Sequence, residues 1–199
     1  VIRAGSFFCL LLLVLVLPGC SHQPCVRWPG AAAWCAAALP AQPAFASRED
    51  IVSADARGQK LQAMASTEWT ATRFTQVVLT PLGQRLYRLQ YDGRQLQFER
   101  GLLPVPILPE QSLLDIQLML WPLELLQANL PRGWQLQEQA DTGRRELRAG
   151  EELLAEVHRL APDELELIQY RLGYRVRVQT LDQQANLPVE ARVPVEPAR

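Results

Sequence analysis

The stretch Arg85-Leu86-Tyr87-Arg88-Leu89-Gln90-Tyr91-Asp92-Gly93-Arg94-Gln95-Leu96-Gln97-Phe98-Glu99-Arg100 decides the fold class. From Arg85 to Tyr91 the residues alternate, with Tyr87, Leu89 and Tyr91 on one face and Leu86, Arg88 and Gln90 on the other. A period of two belongs to an extended strand, since a helix repeats every 3.6 residues. Asp92-Gly93 supplies the left-handed backbone of a tight hairpin, and Leu96 and Phe98 then resume the alternation. A hairpin with one apolar and one charged face is the unit of an antiparallel sheet covered on one side only.

The same pattern recurs further along. Glu151 to Leu160 and Glu164 to Tyr170 form a hairpin around Pro162-Asp163, and after Leu172-Gly173 the residues Tyr174, Val176 and Val178 alternate with Arg175, Arg177 and Gln179. Between Ser53 and Phe74 the pattern supports at most two poorly patterned strands, so the sheet is expected to be incomplete there. The cover comes from mid-chain. Glu110 to Trp121 reads as a helix with Leu113, Leu114, Ile116, Leu118, Leu120 and Trp121 on an arc of about 200°, wider than a surface helix needs. Gln117 lies in the centre of that arc and must find a partner if buried. Pro122 pushes Trp121 out of helical geometry and starts a second short helix, Leu123 to Leu130, closed by Pro131 and Gly133.

The first quarter of the chain is a different polymer. All 21 acidic residues lie at or after Glu49, whereas residues 1–48 carry three arginines, Arg3, Arg27 and Arg48. Phe7 to Leu17 is an unbroken apolar run, too short for the ~20 residues of a membrane span but suited to the core of an export signal. Leu17-Pro18-Gly19-Cys20 resembles the lipobox of bacterial lipoproteins, with Pro18 departing from the commoner small residue. That resemblance implies a signal peptide over 1–19 and lipidation of Cys20, with two chains on its sulfur and a fatty amide such as palmitate on its new amino terminus. Stable anchoring needs two acyl chains, so three suffice. The other reading is a signal cut after Ala44-Phe45-Ala46. Residues 20–50, rich in Pro and Ala, are expected to be a tether whose Trp28, Trp34 and Phe45 could lie on lipid. Cys25 and Cys35 either pair in an oxidising compartment or remain free thiols. The folded domain is placed at 51–185, with a flexible tail at 186–199.

Composition excludes several function classes. Twenty basic and 21 acidic residues give a net charge of −1, without the field that draws a protein to nucleic acid. A chain that is 48% hydrophobic and 21% charged holds enough apolar area to fold. After residue 47 there is no Cys and a single His, His158, too few for a zinc site. Neither a phosphate-binding Gly-Lys-Ser loop nor a Gly-x-Ser-x-Gly elbow is present, and no catalytic frame or cofactor site is expected.

Four motifs recur in order over about residues 74–182: Thr80-Pro81-Leu82-Gly83, Tyr91-Asp92-Gly93-Arg94, Asp115-Ile116-Gln117-Leu118-Met119-Leu120-Trp121-Pro122 and Gly173-Tyr174. Together they resemble an uncharacterised bacterial outer-membrane lipoprotein family, a domain of unknown function related to LolA and LolB. The resemblance implies a mainly β (α+β) fold, a curved antiparallel half-barrel capped by short helices whose hollow receives acyl chains. Tyr87, Leu89, Tyr91, Leu96, Phe98, Tyr174, Val176 and Val178 would line that hollow under Leu114, Leu118 and Trp121. Leu82, in the Pro-Leu-Gly turn, would enter the membrane, with Leu102, Leu103, Val105, Ile107 and Leu108 as a weaker second surface. The other reading tucks Leu82 under the sheet edge. The resemblance further implies anchoring at the periplasmic face of a Gram-negative outer membrane. Its implied cargo is lipoprotein or polyketide-like lipid, and its implied donor a periplasmic LolA-like carrier. The alternative is a structural lipoprotein that docks to an envelope complex and carries no lipid.

Overall fold

The computed structural model describes residues 23–28, 32–102 and 108–185. The predicted signal peptide 1–19, Cys20, the tail 186–199, and Leu103, Val105 and Ile107 lie outside the described residues.

A first, separate pair consists of β1 (Cys25–Arg27) and β2 (Ala33–Cys35), antiparallel and joined by a Cys25–Cys35 disulfide. Next come β3 (Ser47–Ala56), β4 (Gln59–Trp69), β5 (Phe74–Leu79), β6 (Arg85–Tyr91) and β7 (Leu96–Arg100). Helices α1 (Pro109–Leu120) and α2 (Leu123–Gln127) follow. The chain returns through β8 (Trp134–Glu138), β9 (Arg145–Ala149), β10 (Glu152–Ala161), β11 (Glu164–Gln169) and β12 (Tyr174–Gln184).

Ten strands form one antiparallel sheet in the order β7-β6-β5-β4-β3-β12-β11-β10-β9-β8. Two meanders therefore meet where β3 pairs with β12, and their far strands β7 and β8 are the two edges. The connection between β7 and β8 has to cross from one edge to the other, and α1 makes that crossing over the inner face, touching both β7 and β11. Trp121 is extended (φ −75°, ψ 150°), as a residue before proline should be. No basic residue sits in the last turn of α1; instead Arg145 on β9 donates to the carbonyls of Leu118 (2.9 Å) and Trp121 (2.8 Å). At the end of β7, Gly101 is compulsory, because a Cβ there would lie 2.0 Å from the Arg85 carbonyl oxygen.

The β6–β7 and β11–β12 hairpins lie where the alternation places them, and Gly93 turns with φ +92°. Three expectations need correction. The stretch 20–50 is not a tether in its described part: Trp28, Trp34 and Phe45 are 2%, 1% and 1% exposed, packed in the main core and not laid on lipid. The domain boundary at 51 falls inside β3, which starts at Ser47. The sheet is continuous where a gap was expected, since β3 and β4 run for 10 and 11 residues. Their inward residues include Arg48, Asp50, Ala63, Ala65 and Thr67, small or polar side chains that leave no hydrophobic alternation to read. The β8–β9 hairpin is an additional element, and the second helix ends at Gln127, short of Leu130.

Candidate functional site

Cross-strand register places the expected lining residues on one face. Phe74 pairs with Tyr91, Tyr91 with Leu96 and Leu89 with Phe98 on one half of the sheet, and Val176 pairs with Leu167 and Val178 with Leu165 on the other. Leu89, Tyr91, Leu114, Leu118 and Trp121 share one core cluster and are almost fully buried. Tyr87, Leu96, Phe98 and Val176 pack against it half-buried, with the rings of Tyr87 and Phe98 stacked at 5.3 Å. Val178 is 7% exposed and lies outside that cluster, while Tyr174 turns its hydroxyl to Asp115. The face is therefore assembled around α1 and filled by protein.

What fills it, beside α1, is the N-terminal segment. The indoles of Trp28 and Trp34 meet edge to face at 6.1 Å, and both approach Trp134. Ala36 and Ala37 are buried, and Phe45 meets Trp69 at 5.3 Å, which in turn stacks on Trp121 at 4.4 Å. Backbone bonds tie this segment to the sheet at Ala46, which donates to Gln184 O and accepts from Trp69 N–H, while at Ala37 and Ala38 side chains satisfy the backbone. Gln117 grips Ala37 twice, accepting from its N–H and donating to its carbonyl, each at 2.9 Å. The Tyr91 hydroxyl donates to the same carbonyl, and Trp121 Nε1 donates to Ala38 O. The buried glutamine in the centre of an apolar arc is explained: it is the clasp for a strand-like segment.

A second polar node sits beside it. Trp28 Nε1 donates to Gln111 (2.7 Å), Gln111 Nε2 to Asp115 Oδ1 (2.8 Å) and Gln169 Nε2 to the same oxygen (2.5 Å), while Tyr174 donates to Oδ2. Burial pushes the Asp115 carboxyl up to about 6, although the hydrogen bonds from Tyr174, Gln169 and Gln111 oppose the shift. A third node, nearer the middle of the sheet, joins Arg48 to Asp50 at 2.9 Å, with Thr180 donating to Asp50. Burial raises the Asp50 carboxyl, and Arg48 and Thr180 pull it back.

On the opposite face of β10 from Ala155 and Val157, Glu156 accepts from Arg144 and Tyr170 and lies 3.0 Å from His158 Nε2. Burial alone would raise this carboxyl; hydrogen bonds from Tyr170, Arg144 and His158 outweigh it and hold it at about 2. A carboxylate that weakly basic stabilises the sheet's outer face and is a poor proton acceptor near neutral pH. Open clefts on this outer side are lined by Lys60, Arg175 and Arg177 together with Asp55 and Glu166. Among the described residues no group of His, Cys, Asp and Glu side chains is placed to hold a metal ion.

Leu82 lies in the turn between β5 and β6. Thr80 and Gln84 pair across it, Gly83 donates to Thr80 O with φ +78°, and the Leu82 side chain projects outward at 87% exposure. Leu102 and Leu108 are exposed as well, each at 64%. Sequence reading named Trp28, Trp34 and Phe45 but placed them on lipid instead of in the core, and it missed Ala37 and the node of Gln111, Asp115 and Gln169. The one signal for them was Gln117 itself.

Fold and site together define a one-sided antiparallel sheet whose inner face is closed by a crossing helix and an N-terminal segment. Residues 47–182 match the family described as "Protein of unknown function (DUF3261)", and the chain belongs to that family. A comparison with curated proteins finds no match. Among solved structures the chain is similar to a DUF1329 family protein from Desulfovibrio piger ATCC 29098, at 9% identity and a TM-score of 0.46, covering 74% of this chain and 88% of that one.

Proposed function

We propose that this protein is a lipid-anchored outer-membrane protein of the LolA/LolB kind, binding acyl chains against the inner face of a half-barrel and helping to deliver lipoprotein or polyketide-like lipid to the membrane. The observation that carries this reading is the inner face itself. Aromatic and branched side chains from both meanders converge there, and the elements that cover it belong to no strand of the sheet. A chain of about 16 carbons leaving water represents roughly 12 kcal/mol of gross transfer energy, which a wall of Leu89, Tyr91, Phe98 and Trp121 is suited to match. The exposed Leu82 at a turn tip supports membrane contact, and the lipobox at Cys20 supports anchoring.

A second reading has an observation in its favour. Leu89, Leu114 and Trp121 are each 0% exposed, as in a permanently filled core. On that reading the protein is a structural lipoprotein that docks to an envelope complex. Purification without detergent, followed by mass spectrometry of the extracted lipid, separates the two. Carriage predicts acyl lipid in stoichiometric relation to the part of the population that is loaded, and a lipid-free extract under every growth condition favours the structural role.

A further inference from the structure

We infer that residues 23–28 and 32–46 are a displaceable plug, occupying the site that an acyl chain takes when the carrier is loaded. This rests on the carrier reading above and adds to it the device that closes the site. Four observations converge. First, β1 and β2 pair only with each other, so withdrawing them breaks no rung of the ten-stranded sheet. Second, the plug's backbone at Ala37 and Ala38 is held by side chains, those of Gln117, Tyr91 and Trp121, and its backbone bonds to the sheet are at its last residue, Ala46, which donates to Gln184 O and accepts from Trp69 N–H where the plug joins β3. Side-chain clasps open by rotamer changes, whereas a ladder opens only with its neighbours. Third, the family match covers residues 47–182 and so begins immediately after the plug. Fourth, the plugged state leaves the Trp69 indole N–H buried with no hydrogen-bond partner, among the rings of Phe45, Phe74 and Trp121. A buried donor without an acceptor is unfavourable, and the carbonyl or carboxylate of a fatty acyl group would satisfy it.

The plug resembles its competitor in chemistry. Trp28, Trp34, Ala36, Ala37 and Phe45 present an apolar, largely uncharged surface to the core, and the plug's polar backbone is neutralised locally by the clasp. The disulfide keeps β1 and β2 together, so the hairpin moves as a unit. Because the apparent affinity for lipid is scaled by the fraction of molecules that are open, loosening the clasp should tighten lipid binding.

Hydrogen–deuterium exchange on the full chain, with and without palmitate, tests this. In the parent, amides of 32–46 should be protected without palmitate and lose protection at saturating palmitate, while β6 and β12 stay protected. Gln117→Leu removes both bonds to Ala37 and should bind palmitate about tenfold more tightly. Palmitate binding with unchanged protection of 32–46 overturns the plug and leaves the carrier reading standing. No binding by the parent and none by Gln117→Leu overturns both. If Gln117→Leu fails to fold, the parent's exchange with and without palmitate decides alone.

Discussion

Replacing Asp115 by Asn gives a stability change whose size and pH window follow from the structure. Asp115 is 8% exposed, and its carboxyl is raised from 3.8 to about 6 by burial, against the pull of hydrogen bonds from Tyr174, Gln169 and Gln111. The folded protein thus binds a proton that the unfolded chain has already released between these values. Folding stability contributed by this group is present below about 4 and is lost as pH rises through about 6, the opposite of a salt-bridged acid. The rise corresponds to roughly 3 kcal/mol, an upper figure because the buried network can relax. Asparagine keeps an acceptor for Gln111 and Gln169 and stays neutral throughout. Urea unfolding of the parent and of Asp115→Asn at pH 4.5 to 7.5 should therefore give a difference that shifts in favour of Asn as pH rises. Glu156, held at about 2, loses its contribution only as pH falls from about 4.5 toward 2, outside this range. Asp50 is common to both proteins and cancels in the difference. A difference between the two proteins that does not change with pH would refute a buried, proton-binding Asp115.

Other perturbations separate surface from core. Leu82→Glu should change stability by less than about 0.5 kcal/mol while weakening liposome binding by a Cys20-less protein, because the side chain is 87% exposed. Leu118→Asp, placing a charge at a site 1% exposed, should destabilise by roughly 4 kcal/mol or abolish folding, read by circular dichroism. Reducing Cys25–Cys35, or Cys25→Ser with Cys35→Ser, releases a crosslink over a sequence separation of 10. It should destabilise the plug by roughly 3 kcal/mol, seen as faster exchange in 32–46. Cys20→Ala should abolish fatty-acid labelling and move the protein from the membrane to the soluble fraction.

Much of the sheet was legible because its strands obey simple physics. Tyr87, Leu89 and Tyr91 face α1 while Arg88 on the other face lies 3.6 Å from Glu99, so hydrophobicity alternates with the pleat. The C-terminal end of α1 was legible from Pro122. In β4 the inward Ala63, Ala65 and Thr67 are barely apolar, and Met64 sits on the outer face at 42% exposure, so pattern and pleat disagree. In β10 a register shift between Leu153 and Ala155 buries Leu154 beside Ala155, interrupting the period. The segment before Ser47 was illegible for a different reason. Its conformation is imposed by Gln117, Tyr91 and Trp121, partners 54 to 83 residues away, and by a disulfide whose pairing no local spacing reveals. Its prolines and alanines carry no periodicity of their own.

Detergent-free titration of the protein with a fluorescent 16-carbon fatty acid shows whether the inner face takes an acyl chain. Phe98→Asp serves as the control, since Phe98 is half-buried on the edge strand β7 and stacked on Tyr87, where a carboxylate would meet the chain, and circular dichroism checks that the variant is folded. Acyl binding at the inner face predicts saturable binding of one chain per protein, at least tenfold weaker in Phe98→Asp under conditions where that variant, with a lowered melting temperature from the lost Tyr87 stack, is still fully folded. Absence of saturable binding, or equal binding by a stably folded Phe98→Asp, would contradict it.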